Sequence, residues 1–302
     1  MDFVPHLGNY HGFGKTAPYF ESWYFKLISA DEKHRYAILP GIILGREEDL
    51  AFVQVLNDHA GHSVYFEYPF VAFRAVPDRF EFSINRKNQF SAERIAFDIA
   101  MEHGGVKGEL RFSGAQPGTA LNGAEFSQGV ISLGQRLEGV LTIDSNPIDF
   151  TGGRGYIENI WGSNYPDTYL WFPSKHFPEA DTALAASIFP TPGLFSVSTA
   201  FNIHLKRDGK LYYFAAANGA KMERLDIAEK QITCVVFNGQ QRLEMTVARA
   251  EGALLRIPAK YTLTRKMHHP LSASVSLRLT EAGKTIYEGS GRCAALEFIK
   301  HG

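Results

Sequence analysis

The stretch Phe201-Asn202-Ile203-His204-Leu205-Lys206-Arg207-Asp208-Gly209-Lys210 carries the signal that sets the fold class. Apolar side chains occupy positions 201, 203 and 205, with polar ones between them. A period of two is the mark of a β-strand with one dry and one wet face. The run ends in Asp208-Gly209, a pair that tolerates the positive φ demanded by a tight hairpin. The same grammar recurs along the chain. Phe80, Phe82 and Ile84 alternate with Glu81, Ser83 and Asn85. Ile95, Phe97, Ile99 and Met101 form a second run, Leu110 and Phe112 a third, and Val275, Leu277 and Leu279 a fourth. Asn238-Gly239 and Glu281-Ala282-Gly283-Lys284 read as further hairpin turns, and Arg86 and Lys87 as solvated turn residues. Helical spacing is scarce. The best helix candidate is Glu179 to Ile188, ended by Pro190 and Pro192. The expectation is an all-β protein of antiparallel sheets, as barrels or sandwiches, with few short helices.

The 302 residues suffice for one large β domain or two medium ones. Hydrophobic residues at 45% and charged residues at 21% match an ordinary globular core. The formal net charge of −1 supplies no global field to recruit nucleic acid or an anionic membrane. The 23 Phe and 13 Tyr exceed what a core of this size requires. They reflect either β propensity or an aromatic-lined ligand cavity. The two cysteines, Cys234 and Cys293, make neither a disulfide framework nor a zinc pattern, which suits a reducing compartment. The N-terminal MDFVPHLGNYHG lacks the basic and apolar regions of a signal peptide. The apolar stretch Tyr36 to Gly45 is too short to span a bilayer. A cytoplasmic, soluble protein is expected, with peripheral membrane contact left open.

A boundary is expected in the turn-rich stretch 114–136, dividing the chain into residues 1–130 and 131–302. Trp23-Tyr24-Phe25 in one half has a faint echo in Tyr169-Leu170-Trp171-Phe172 in the other. The echo is consistent with two similar barrels in tandem.

All three tryptophans fall in two segments. One is Tyr19-Phe20-Glu21-Ser22-Trp23-Tyr24-Phe25-Lys26-Leu27. The other is Gly155-Tyr156-Ile157-Glu158-Asn159-Ile160-Trp161-Gly162-Ser163, continuing to Trp171. Each sets a carboxylate two or three residues from a Trp. Apolar surroundings disfavour an ionised carboxylate, so such a group can hold a proton near neutral pH. Aromatic faces stabilise a developing cation. An acid beside an aromatic wall is what alkene protonation needs. The plainer alternative is an inward aromatic with an outward, solvated acid. Glu21 and Trp23, two apart, share a strand face; Glu158 and Trp161, three apart, do not unless the chain bends.

The segments Tyr10-His11-Gly12 and Tyr19 to Lys26 resemble the N-terminal signature of tocopherol cyclases and their bacterial relatives. Gly155 to Ser163, with Pro166 and Trp171, resembles that family's second signature, and Gly291 to Glu297 a weaker terminal one. Ser22, Ile160 and Phe172 depart from the pattern. The resemblance implies two tandem lipocalin-like antiparallel β-barrel domains and a kinship with carotenoid hydratases. It implies protonation of a prenyl double bond and capture of the cation by a phenol oxygen, with no metal or other cofactor. On this reading Glu158 and Glu21 are the candidate acids. His11, Trp23, Tyr24, Tyr156, Trp161 and Trp171 line the ligand site.

Three functions stay open: a tocopherol cyclase-like isomerase acting on a prenylated benzoquinol or related isoprenoid, an isoprenoid hydratase, and a non-catalytic carrier of a hydrophobic small molecule. Other patterns carry less. Gly152-Gly153-Arg154-Gly155 lacks the residues of a phosphate loop, and Gly289-Ser290-Gly291 is not a hydrolase elbow. His268-His269-Pro270 reads as a solvated loop rather than a metal site, because neighbours on a strand face opposite ways.

Overall fold

The computed structural model describes residues 5–101, 104–192 and 197–299. Strand makes up 67% of the chain and helix 3%, so the all-β expectation holds. Two compact units emerge. Unit 1 comprises residues 1–165 and 253–266, and unit 2 comprises 166–252 and 267–302.

Unit 1 opens with the strands β1 (Tyr19–Ile28), β2 (Arg35–Leu44), β3 (Asp49–Asn57) and β4 (His62–Pro69). Five follow: β5 (Phe73–Ala75), β6 (Glu81–Ile84), β7 (Asn88–Ser91), β8 (Arg94–Met101) and β9 (Gly104–Ser113). The last four are β10 (Ala120–Asn122), β11 (Phe126–Ile143), β12 (Asn146–Asp149) and β13 (Arg154–Gly162). They form one antiparallel sheet in the order β4-β3-β2-β1-β13-β11-β9-β8-β7-β6-β5, with β10 and β12 flanking β11. Among the described pairings β4 and β5 do not join, so the sheet is not closed into a barrel by backbone hydrogen bonds. One face carries the core. Trp23, Phe25, Leu27, Ile38, Val53, Phe82, Phe90, Leu110 and Ile157 belong to that single cluster.

Unit 2 contains β14 (Tyr169–Ser174), β15 (Ala183–Pro192), β16 (Val197–Arg207), β17 (Lys210–Ala215), β18 (Lys221–Ile227), β19 (Gln231–Asn238) and β20 (Gln241–Ala248). A hairpin of β21 (Ala253–Ala259) and β22 (Thr262–His269) follows, whose residues 253–266 belong to unit 1, and unit 2 resumes with β23 (Ala273–Glu281), β24 (Lys284–Ala294) and β25 (Glu297–Ile299). One sheet runs β17-β16-β15-β14-β25 and another β18-β19-β20-β23-β24. Leu184, Ile188, Ile203 and Leu205 of the first meet Val236, Met245, Val275 and Leu277 of the second in one apolar core. Unit 2 is therefore a two-layered packing of sheets.

The hairpins stand where the turn residues place them. Asp208 and Gly209 adopt φ of 49° and 72° between β16 and β17, and Ala282 and Gly283 adopt 49° and 77° between β23 and β24. Asn85 and Arg86, also at positive φ, turn β6 into β7.

Two expectations change. The segment Glu179 to Ile188 is not a helix. A turn closed by Thr182 N–H donating to the Glu179 carbonyl leads into β15, where Leu184, Ala186 and Ile188 point into the core at period two. Alanine-rich sequence favours a helix locally, and pairing with β14 and β16 overrides it. The expected boundary at 130/131 falls inside β11, whose pairing with β13 shifts register between Val130 and Ser132 and again before Gln135. The small residues there mark bulges in a strand, not a linker. The division between units lies instead at 165/166. β1 is buried along its whole length, so the alternative of an outward, solvated acid does not hold at Glu21.

Gly162 joins β13 to both neighbours, opposite Phe20 on one side and Phe126 on the other. A Cβ placed there would sit 2.0 Å from the Glu125 carbonyl oxygen, a backbone atom that cannot step aside cheaply. Replacing Gly162 by Ala is expected to cost about 1–3 kcal/mol, by overpacking. Chemical denaturation would read this as a lowered midpoint with unchanged slope.

Candidate functional site

Antiparallel pairing of β1 with β13 fixes which of the candidate residues meet. Glu21 lies opposite Trp161 and Trp23 opposite Asn159, while Tyr24 lies opposite Glu158 and Lys26 opposite Tyr156. Directly paired residues share a face, and successive residues alternate. Glu21, Trp23, Asn159 and Trp161 therefore occupy one face, and Tyr24, Tyr156 and Glu158 the other. The two carboxylates do not share a site; they are back to back across one sheet.

Glu21 is fully buried and saturated with donors. Its Oε2 accepts from the Tyr19 hydroxyl at 2.6 Å and from the His11 backbone N–H at 2.9 Å. Its Oε1 accepts from Asn159 Nδ2 at 2.8 Å and lies 3.0 Å from His11 Nδ1. A ring nitrogen facing a carboxylate oxygen carries the proton, so Nδ1 is the donor here. Four donors fill the acceptor positions of one carboxylate. This is an arrangement for an ionised, fixed group. The charge raises the cost of ionising its neighbours. Burial first, then Glu21, pushes the Tyr19 hydroxyl far above its ordinary range, and the Tyr10 hydroxyl rises for the same reasons in the same order.

Around this carboxylate the N-terminal segment is pinned to the sheet. The His11 ring stacks on Trp161 with centroids 3.9 Å apart and planes 8° from parallel. Trp23 Nε1 donates to the Gly8 carbonyl at 2.8 Å, and its ring lies 4.0 Å from that of Phe82. Trp23 is thus a core side chain rather than the wall of an open site.

Glu158 is also buried, on the other face. The Tyr156 hydroxyl donates to its Oε2 at 2.5 Å, and Gln128 Nε2 lies 3.0 Å from Oε2 and 3.1 Å from Oε1. The Tyr24 ring meets that of Tyr156 edge-on at 6.3 Å. The result is a short carboxyl–phenol contact, backed by an amide that bridges the carboxyl group.

Trp171 belongs to unit 2. It pairs with Glu297 across β14 and β25, and it stacks on His269 at 5.8 Å. The His269 Nδ1 lies 3.0 Å from Glu297 Oε1. His269 is the last residue of β22 and wholly buried, which corrects its reading as part of a solvated loop; His268 beside it is exposed, as strand alternation requires. Among the described residues no cluster of three His, Cys, Asp or Glu side chains could hold a metal ion.

Three partners of the carboxylates escaped the sequence reading. Tyr19 was legible: Tyr19 and Glu21, like Tyr156 and Glu158, stand two apart on a strand, which sets hydroxyl beside carboxyl. Asn159 and Gln128 were not, because they reach their carboxylates through strand pairing.

The sequence matches no protein-family model and no curated protein. The fold does have counterparts among solved structures. A provisionally named AttH from Nitrosomonas europaea aligns over 98% of this chain and 96% of its own, at 13% identity and a TM-score of 0.57. Kievitone hydratase from Nectria haematococca aligns over 100% and 96%, at 11% identity and 0.51. CghA aligns over 100% and 94%, at 11% identity and 0.58. Likeness at these identities establishes a shared fold. Among the described residues no helix is long and apolar enough to cross a membrane.

Two outcomes follow from the Glu21 network. Glu21→Gln puts an amide nitrogen among donors and is expected to destabilise the protein by about 2–4 kcal/mol, read by denaturant midpoint. Raising pH tests Tyr19. Its folded pKa lies above the unfolded value near 10, so the unfolded chain releases its proton first, and stability is full below that value and falls above it. Tyr19→Phe is expected to lower stability at neutral pH and to flatten the loss between pH 10 and 11.

Proposed function

We propose that this chain is an enzyme that protonates the alkene of a hydrophobic, isoprenoid-bearing substrate, with Glu158 as the acid. The observation that carries the reading is the buried Glu158–Tyr156 contact, 2.5 Å between oxygens and held by Gln128. The Glu158 carboxyl gives its proton to one alkene carbon and leaves a tertiary cation on the other. A phenol oxygen of the same substrate attacks the cation and closes the ring. The phenol proton then returns to the Glu158 carboxylate, directly or through the Tyr156 hydroxyl. Every atom of the substrate is kept, no electron is exchanged, and the carboxyl is restored. Aromatic neighbours such as Tyr24 favour the passing positive charge.

Glu21 has a different role in this scheme. With its acceptor positions filled, it holds His11 and the N-terminal segment in place and does not deliver a proton. His11, Trp23 and Trp161 support that frame. Trp171 is assigned to a separate aromatic and carboxylate cluster within unit 2.

Hydration is the second reading. It uses the same proton transfer and differs in the nucleophile, water instead of the internal phenol. The fold shared with a protein named kievitone hydratase favours keeping it. The prenylated benzoquinol of the tocopherol type is the first substrate to try. The ligand is expected to be a hydrophobic small molecule.

Incubation of the purified protein with a prenylated benzoquinol under reducing conditions, followed by chromatography with mass detection, separates the readings. A product isomeric with the substrate supports cyclisation, and a product heavier by one water supports hydration. Glu158→Gln is expected to lower kcat roughly 100-fold or more, with Tyr156→Phe intermediate. Full turnover by a folded Glu158→Gln protein would remove Glu158 as the proton donor.

A further inference from the structure

On the core side of the unit 1 sheet, away from the Glu158 face, a cavity of about 680 Å³ opens between the N-terminal segment and β5 to β7. That volume lies in the range that holds small organic ligands. Its apolar lining is Phe80, Phe82, Phe90 and Ile131. The rings are nearly parallel. Phe80 and Phe82 stand 28° apart in plane and Phe82 and Phe90 18°, with centroids at 6.2 and 4.9 Å. Trp23 continues the series behind Phe80 at 9°. Phe82 and Phe90 are buried within this series, and the partly exposed Phe80 is the ring on which a flat aromatic guest adds one more layer.

The rim carries three guanidinium groups, Arg74, Arg79 and Arg94, and three carboxylates, Asp78, Glu81 and Glu93. The charges balance, so the opening has no net attraction for an ion. Arg94 is engaged by Glu109, and Arg74 by the carbonyls of Val71 and Phe73.

One polar group inside stands out. Asn9 lines the cavity and is 8% exposed, and its Oδ1 accepts no hydrogen bond from the protein. A buried acceptor without a donor is a standing cost to the fold. Gly8 beside it is pressed onto Phe80, where a Cβ would lie 2.5 Å from the ring. The N-terminal segment therefore holds the Asn9 carboxamide against the aromatic wall. A guest carrying a hydroxyl would supply the missing donor.

We propose that this cavity is a binding site for an uncharged, planar aromatic molecule bearing a hydroxyl group, recognised by stacking on Phe80, the partly exposed ring of the Phe80–Phe82–Phe90 series, and by a hydrogen bond to Asn9. The site is independent of the Glu158 chemistry and does not require it.

The test uses 2-naphthol and naphthalene as probes of the full-length protein, followed by fluorescence titration. Saturable binding of 2-naphthol at one site is expected, with naphthalene at least about 10-fold weaker, the factor that one hydrogen bond supplies. Asn9→Leu should bring 2-naphthol down to the naphthalene level. Ser83→Trp, which places an indole on a half-exposed lining residue, should abolish binding of both probes and serves if Asn9→Leu fails to fold. Glu158→Gln should leave both affinities unchanged, which keeps failure of this site distinct from failure of the proposed catalysis. Absence of saturable binding, equal affinity for the two probes, 2-naphthol affinity indifferent to the Asn9 and Ser83 changes, or its loss in Glu158→Gln would overturn the proposal.

Discussion

The antiparallel register of β1 against β13 is the constraint on which the candidate chemistry depends. Pairing Glu21 with Trp161 and Tyr24 with Glu158 sends the two carboxylates to opposite faces of one sheet. A slip of one residue would exchange those faces, carrying Trp23 and Phe25 out of the core with Glu21. The apolar cluster on the Trp23 face opposes that slip. So does Gly162, which admits backbone on a side where a Cβ has no room. Core packing and site geometry are thus fixed by the same hydrogen-bond ladder.

Because β1 is buried throughout, neither acid on this strand pair can be solvated, and each needs partners. The partners differ in kind. Glu21 receives four donors from the N-terminal segment, β1 and β13, which stabilises its charge and ties three pieces of chain together. Glu158 has a phenol and a bridging amide as its described partners. One set of contacts immobilises a carboxylate, and the other sets a phenol hydroxyl directly against a carboxyl oxygen. Two residues of one type, close in space, thus sit in different surroundings, and the roles proposed for them rest on the nature of the described donors.

Much of this was legible from residue order. Alternation at period two, closed by Asp-Gly, Asn-Gly and Ala-Gly turns, specifies antiparallel strands because side-chain direction on a strand is a local property. The same property sets Tyr19 beside Glu21 and Tyr156 beside Glu158, and places Glu158 and Trp161 on opposite faces. The misread segments share one cause. Residues 179–188 have the local preference of a helix, and the glycines near 130 have that of a linker. In each case strand pairing with distant residues overrides the local tendency. His269 looked like a loop residue beside Pro270, and only its position at the end of β22, against Trp171 and Glu297, buries it.

The sequence by itself determined the class of structure, the strand runs with their turns, and the short list of acids and aromatics worth attention. These follow from steric and solvation preferences acting over a few residues. Tertiary structure alone decided that the two carboxylates stand apart, that Asn159 and Gln128 are their partners, and that Asn9 keeps an unpaired oxygen beside an aromatic cavity. Each of those facts joins residues far apart in the chain, from 30 positions between Gln128 and Glu158 to 148 between His11 and Asn159, and no local rule reaches that far.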